Sequence, residues 1–213
     1  LKNSDPKKSF LKIFKQAMKK SWAFKVGLIQ DVRVLHDSIF VTTSELKFYK
    51  GGFVDHFKDK LDEDVSIGTF LIRIAYGKLR EQGLSCVEAF NLDYITSGQY
   101  GHPNLEGTHI CWGDEENEAK KLLDEGKLVE FLDLIIEFFL SPTEGSPYIH
   151  WDEFIEDRKP LKDVLSGGGE IGVFRDGLSI GRFLTNRDEL TARDIMGVLY
   201  KYNGVEQNGI IEI

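Results

Sequence analysis

A cysteine that follows an asparagine by seven residues is the pattern in this chain that could carry chemistry. His102-Pro103-Asn104 precedes Cys111 within the stretch Tyr100-Gly-His-Pro-Asn-Leu-Glu-Gly-Thr-His-Ile-Cys-Trp-Gly113. A thiol is a useful nucleophile when its surroundings favour the thiolate or stabilise the species formed by its attack. Because proline restricts the backbone next to Asn104, that carboxamide could be held in place to donate a hydrogen bond to a developing oxyanion. The pattern therefore predicts nucleophilic chemistry at Cys111.

His109 lies two residues before Cys111 and offers a second way to tune the thiol. Alternation along a strand would place both side chains on one face, where an imidazolium lowers the pKa of a neighbouring thiol. The same residue types leave a metal site open as a minor alternative. The four ligand types concerned are Cys86, His102, His109 and Cys111. Their spacing matches no common zinc pattern, so no metal is predicted.

Composition limits the classes of protein to which the chain can belong. Its 213 residues carry a net charge of −8, which argues against a general nucleic-acid binder because phosphate contacts need clustered Lys and Arg. Two cysteines are too few for a disulfide framework and favour a reducing, cytoplasmic setting, with one bridge between Cys86 and Cys111 left open. No apolar run approaches the roughly 18 residues that a membrane span needs, and no signal peptide is visible.

Lysines cluster near the start of the chain, against its overall acidic balance. They are Lys7, Lys8, Lys12, Lys15, Lys19, Lys20 and Lys25. Ser4-Asp5-Pro6 resembles a helix start, and apolar residues then recur at helical spacing, which predicts an amphipathic helix over 7–22. We interpret the cluster as a solvated helix face, while contact with an acidic partner or a membrane surface stays open.

The elements that would position the thiol belong to an α+β fold. Residues 25–50 predict two or three antiparallel strands, and 84–96 predict an extended segment that leads into the loop at 97–113. Spacings of three and four predict a helix over 66–81, with a buried strand over 69–75 as the competing interpretation. The most apolar helix is predicted at 127–140 and should lie in the core. We therefore expect an antiparallel sheet with helices packed on one face.

Composition changes after Pro160, which predicts a domain over 1–160 and a small α+β appendage over 161–213. In the appendage, Arg175-Asp176-Gly177 is typical of a hairpin turn, and a last helix is expected at 188–202. Gly167-x-Gly169-x-x-Gly172 matches a dinucleotide fingerprint in its letters only. Because a strand rather than a helix is expected after it, no cofactor is predicted.

The central part of the chain, roughly 94–150, resembles ubiquitin-conjugating (E2) enzymes, and in particular the divergent bacterial and phage relatives of that family. The resemblance rests on His102-Pro103-Asn104, on Cys111 at its spacing, and on an apolar helix closed by Ser141-Pro-Thr-Glu-Gly-Ser-Pro-Tyr148. A leading helix followed by a β-meander is also similar in order. The resemblance implies an E2-like fold for residues 1–160.

The resemblance also implies roles for three residues. Cys111 would carry a ubiquitin-like modifier as a thioester, Asn104 would stabilise the oxyanion, and His102 would brace the turn. The implied partners are an E1-like adenylating enzyme and the modifier itself, with transfer to an amine or thiol of an acceptor. The alternative is a non-catalytic protein of the same fold that binds protein partners in an assembly, such as a virion or complex component.

Overall fold

The computed structural model describes residues 6–35, 38–48, 64–141 and 147–166. The helices are α1 (Pro6–Met18), α2 (Trp22–Lys25), α3 (Leu79–Gln82), α4 (Glu116–Asp124), α5 (Leu128–Leu140), α6 (Trp151–Asp157) and α7 (Leu161–Ser166). The strands are β1 (Ile29–Leu35), β2 (Ser38–Thr43), β3 (Leu46–Phe48), β4 (Val65–Gly68), β5 (Phe70–Ile74), β6 (Val87–Asn91), β7 (Tyr94–Ile95), β8 (Tyr100–His102), β9 (Leu105–Glu106), β10 (His109–Ile110) and β11 (Lys159–Pro160).

Seven strands form one antiparallel sheet in the order β1-β2-β5-β6-β10-β9-β8. Two smaller pairs accompany it, β3 with β4 and β7 with β11. Most neighbours in the large sheet are also neighbours along the chain, which is the pattern of a meander. The predicted α+β fold with an antiparallel sheet is confirmed, as are the strands expected within 25–50 and the apolar helix expected at 127–140.

The two faces of the central strands carry different side chains. On one face the strands contribute buried aliphatic residues to a core cluster that they share with α1, α4 and α5, and these are Ile39, Val41, Ile72, Ile74, Val87 and Ala89. The helix α5 supplies seven buried residues to this layer because apolar positions occupy most of its circumference. The opposite face is also buried and mixes Phe40, Leu71 and Phe90 with the charged pair Arg73 and Glu88.

The helix predicted over 66–81 is wrong, and the competing strand over 69–75 is found instead. The segment forms β4 and β5, and only Leu79–Gln82 is α-helical. All five residues of β5 are buried, so both alternating sets of side chains meet protein rather than solvent. A strand buried on both faces has a continuous apolar run, and short runs of this kind also fit a helical spacing.

A carboxylate of α5 fixes the short helix α2. Ser21 Oγ donates a hydrogen bond to Asp133 Oδ1 at 2.5 Å, and the backbone N–H groups of Trp22 and Ala23 donate to the same carboxylate at 3.1 and 3.3 Å. The first N–H groups of a helix have no partner within the helix, and a negative charge there is favourable. Asp133 therefore ties the N-terminal segment to the central helix.

The division into domains at 160/161 stays a prediction, because the hairpin, the last helix and the glycine-rich segment expected after 166 lie outside the described residues. Around the predicted boundary, β11 pairs with β7, and the N–H of Leu161 donates to the carbonyl of Asp93 at 2.8 Å. In the part of the chain that the structure describes, no helix has the length and apolar character to cross a bilayer.

Candidate functional site

The thiol lies at the end of a tight hairpin. Gly107 and Thr108 join β9 to β10, and Gly107 has a φ of +57°, which suits glycine. The strands pair His109 with Glu106 and Ile110 with Leu105. The N–H of Cys111 then donates to the carbonyl of Asn104 at 2.9 Å, which continues the same register by one pair.

This hydrogen bond joins the backbones of Cys111 and Asn104 just beyond the last paired residues of the hairpin. Asn104 itself lies in the turn between β8 and β9. The structure thus brings these two predicted site residues together through their backbones. Asn104 is only 2% exposed, whereas Cys111 is partly exposed.

The two cysteines lie in different environments, and both are reduced thiols, so the disulfide left open by the sequence is not formed. Cys86 is buried, and desolvation raises the pKa of its thiol to about 11. It therefore stays protonated and enclosed at neutral pH. Cys111 is the more exposed of the two cysteines.

His102 is fully buried and connects the turn before the thiol to α5. Its Nε2 lies 3.1 Å from the carbonyl oxygen of Phe139, and its Nδ1 accepts a hydrogen bond from the N–H of Asn104 at 3.1 Å. These partners assign the proton to Nε2, because Nδ1 acts as an acceptor. Burial lowers the pKa of His102 to about 3, so the imidazole is neutral at physiological pH.

Aromatic rings surround the imidazole of His102. Their centroids lie between 4.9 and 6.5 Å from it and belong to Phe48, Phe70, Phe139, Trp151 and Phe154. The rings come from strands of two sheets and from two helices, so the turn at 102–104 is held from several sides. Such packing suits a structural brace.

Asn91 is a site-supporting residue that the sequence analysis did not single out. Its Nδ2 donates to the carbonyls of Ile67 and Gly101 at 2.7 and 2.6 Å, and its Oδ1 accepts from the N–H groups of Asp93 and Tyr94 at 2.9 and 3.0 Å. Both halves of the carboxamide are thus satisfied inside the protein. Asn91 fixes the strand that leads into His102. Its partners come from three separate segments of the chain, so no local sequence pattern indicates its role.

A buried polar cluster lies beside β10 and was also missed. Arg73 Nη1 lies 3.5 Å from Glu88 Oε2, and Thr108 Oγ1 donates to Glu88 Oε1 at 3.1 Å. Glu88 is paired with His109 across β6 and β10, and His109 is exposed. The cluster therefore anchors the turn that precedes Cys111 to the centre of the sheet.

The set of possible metal ligands is not brought together as a site. Within 6–35, 38–48, 64–141 and 147–166, no three His, Cys, Asp or Glu side chains are arranged to hold a metal ion. His102 also uses both ring nitrogens in hydrogen bonds to the protein. Residues 167–172, with the glycine pattern, lie outside the described part.

Comparison of the chain with protein-family models, with curated proteins and with solved structures gives no match.

Proposed function

We propose that the protein is an E2-like carrier in which Cys111 accepts a ubiquitin-like modifier as a thioester and passes it to an acceptor. The observation that carries this proposal is the hydrogen bond between the N–H of Cys111 and the carbonyl of Asn104, in a hairpin where Cys111 is the accessible thiol. The order of elements adds support. Because residues 70–74 form the strand β5 and not a helix, the chain runs from a leading helix through a meander and the thiol-bearing hairpin to an apolar helix, as the resemblance implies.

In the first step the Cys111 thiolate attacks the thioester carbonyl of a modifier carried by an E1-like adenylating enzyme. The thiolate of that enzyme leaves with the bonding electrons and takes a proton from solvent. In the second step an acceptor amine or thiol attacks the new thioester, the Cys111 thiolate leaves, and the acceptor loses its proton to water. Each step passes through a tetrahedral oxyanion.

Asn104 is the proposed donor to that oxyanion. Its N–H donates to His102 and its carbonyl accepts from Cys111, so the backbone that carries the carboxamide is fixed before the substrate carbonyl arrives. Preorganised donors stabilise developing charge most effectively. His102 is a positioning residue, since it accepts the N–H of Asn104 and its depressed pKa removes it from proton transfer at neutral pH.

A peptide that ends in Gly-Gly as a 2-mercaptoethanesulfonate thioester tests the first step without the unidentified modifier. We expect an adduct on Cys111 that dithiothreitol removes, with release of the small thiol. Mass spectrometry should find it in the wild type and in Cys86→Ala, and not in Cys111→Ala. The proposal is wrong if iodoacetamide modifies Cys111 readily while the peptide thioester gives no adduct.

A non-catalytic assembly protein of the same fold is the second candidate, and the burial of Asn104 favours it. In that case the carboxamide supports the turn, and no carbonyl reaches it. The alkylation rate of Cys111 measured between about pH 7 and 10 separates the two, because a carrier needs a reactive thiolate. A thiol that stays unreactive through this range supports the assembly role.

A further inference from the structure

The surface formed by α1 and α2 combines exposed lysines with exposed apolar side chains. Lys12, Lys15, Lys19, Lys20 and Lys25 are all exposed. Among the residues that the structure describes, the large exposed apolar side chains are Ile13, Trp22 and Val26, at 66%, 39% and 63%. All three lie in the same segment as the lysines, so this segment differs from the rest of the described surface.

Five of these exposed residues lie within positions 19–26, and we call them the Trp22 patch: Lys19, Lys20, Trp22, Lys25 and Val26. The N–H of Val26 donates to the carbonyl of Trp22 at 3.0 Å, so these two side chains lie one helical turn apart. Lys25 is three residues after Trp22 on the same turn. The hydrogen bonds from Ser21, Trp22 and Ala23 to Asp133 hold this turn against the body of the protein.

The charge of the segment is of one sign. Residues 6–30 contain seven lysines and no Asp, Glu or Arg, whereas the whole chain has a net charge of −8. An occupant of this surface must therefore be acidic. The apolar side chains of Trp22 and Val26 indicate that it must also accept hydrocarbon.

We propose that the Trp22 patch docks on an anionic lipid surface. Tryptophan is enriched where water meets hydrocarbon, because its ring is apolar and its N–H is polar. Protein interfaces are depleted in lysine and favour arginine, which pairs bidentately with carboxylates, but this segment uses lysine alone. Lysines beside exposed aromatic and aliphatic side chains are typical of interfacial membrane contacts.

In this arrangement Trp22 and Val26 enter the boundary between headgroups and acyl chains, and the lysines contact the headgroups. The anionic lipid surface repels the acidic remainder of the chain, and this repulsion orients the Trp22 patch toward the lipid. Because exposed charges are screened by salt, docking should weaken as ionic strength rises. The proposal does not depend on the chemistry of Cys111.

Sedimentation with vesicles tests the proposal. We expect binding to phosphatidylcholine vesicles that contain about one third phosphatidylserine, loss of that binding in high salt, and no binding to pure phosphatidylcholine. Vesicle addition should also shift the tryptophan fluorescence to shorter wavelength, and Trp22→Ala should abolish the shift. No binding to the anionic vesicles at low salt would overturn the proposal.

Two charge-reversal variants with equal net charge provide the control. Lys19→Glu, Lys20→Glu and Lys25→Glu together should weaken vesicle binding at least about tenfold. Lys120→Glu, Lys159→Glu and Lys162→Glu change exposed lysines elsewhere and should leave binding within about twofold. Equal loss in both variants would overturn the proposal, as would binding to soluble polyglutamate without binding to vesicles, which would indicate an acidic protein partner.

Discussion

The N–H of Cys111 and the carbonyl of Asn104 are joined by a 2.9 Å hydrogen bond across the end of the β9–β10 hairpin. The bond fixes the backbone of the thiol-bearing residue relative to the His-Pro-Asn turn. Because His102 accepts the N–H of Asn104, displacement of that imidazole would be transmitted to Cys111 through two hydrogen bonds.

Alkylation should distinguish the two cysteines. Near pH 8, a thiol with a pKa of about 11 is about 0.1% thiolate, and Cys86 is also buried. Iodoacetamide should therefore modify Cys111 in the folded protein and leave Cys86 intact, as peptide mass mapping would show. In the urea-unfolded chain both cysteines should react. Comparable rates for both in the folded protein would contradict the assigned burial.

The proposed oxyanion role of Asn104 can be separated from a role in holding the turn. Asn104→Ala should slow exchange with the peptide thioester about 100-fold, because that reaction forms an oxyanion. Alkylation by iodoacetamide forms none, so its rate should change by less than about threefold. The exposed Asn117→Ala in α4 serves as the control and should change neither rate. Equal slowing of both reactions by Asn104→Ala would assign the residue to structure alone.

Stability should fall in mild acid because of His102. Its pKa is about 3 in the folded protein, against an ordinary value of 6.5, so the unfolded chain takes up the proton first. The stabilisation is complete above about pH 6.5 and is lost as the pH falls toward 3. Between about pH 7 and 5, the free energy of unfolding should drop by about 2 kcal/mol more in the wild type than in His102→Gln. Denaturant titrations at the two pH values measure the difference, and equal drops would contradict it.

Removal of the Asn91 carboxamide should destabilise the sheet near the site. Asn91→Ala leaves two buried carbonyls and two N–H groups without this partner, which should lower the free energy of unfolding by about 2–4 kcal/mol. Urea denaturation measures the loss. Asn117→Ala should stay within about 0.5 kcal/mol of the wild type. If Asn91→Ala lowered the free energy of unfolding by no more than Asn117→Ala does, water would replace the carboxamide and the prediction would be wrong.

The sequence pattern predicted the elements that have a distinct hydrophobic periodicity. It failed for a strand whose two faces are both buried. The apolar helix at 127–140 was predicted to within one residue of α5. The segment that contains β5 fits a helix as well as a strand. Phe70, Leu71 and Ile74 are spaced by three and four residues, as in a helix, and a strand buried on both faces accommodates the same residues. Only pairing with β2 and β6, which no local window contains, decides between them.

The site was predictable in its residues but not in its contacts. The sequence singled out His102, Asn104 and Cys111. It could not show that the backbones of Asn104 and Cys111 are hydrogen-bonded to each other, because this depends on the two-residue turn at Gly107. The partner of His102 lies 37 residues away in sequence, at Phe139. Contacts of this range arise from packing between elements and leave no local signature.

The bond between His102 and the carbonyl of Phe139 has a consequence for synthesis of the chain. That carbonyl belongs to the last turn of α5, where backbone acceptors have no partner within the helix. A nascent chain that has not yet emerged from the ribosome as far as Phe139 cannot complete the brace. The brace of the segment that carries the thiol is therefore completed only after all seven strands of the large sheet and nearly all of α5 have been synthesised.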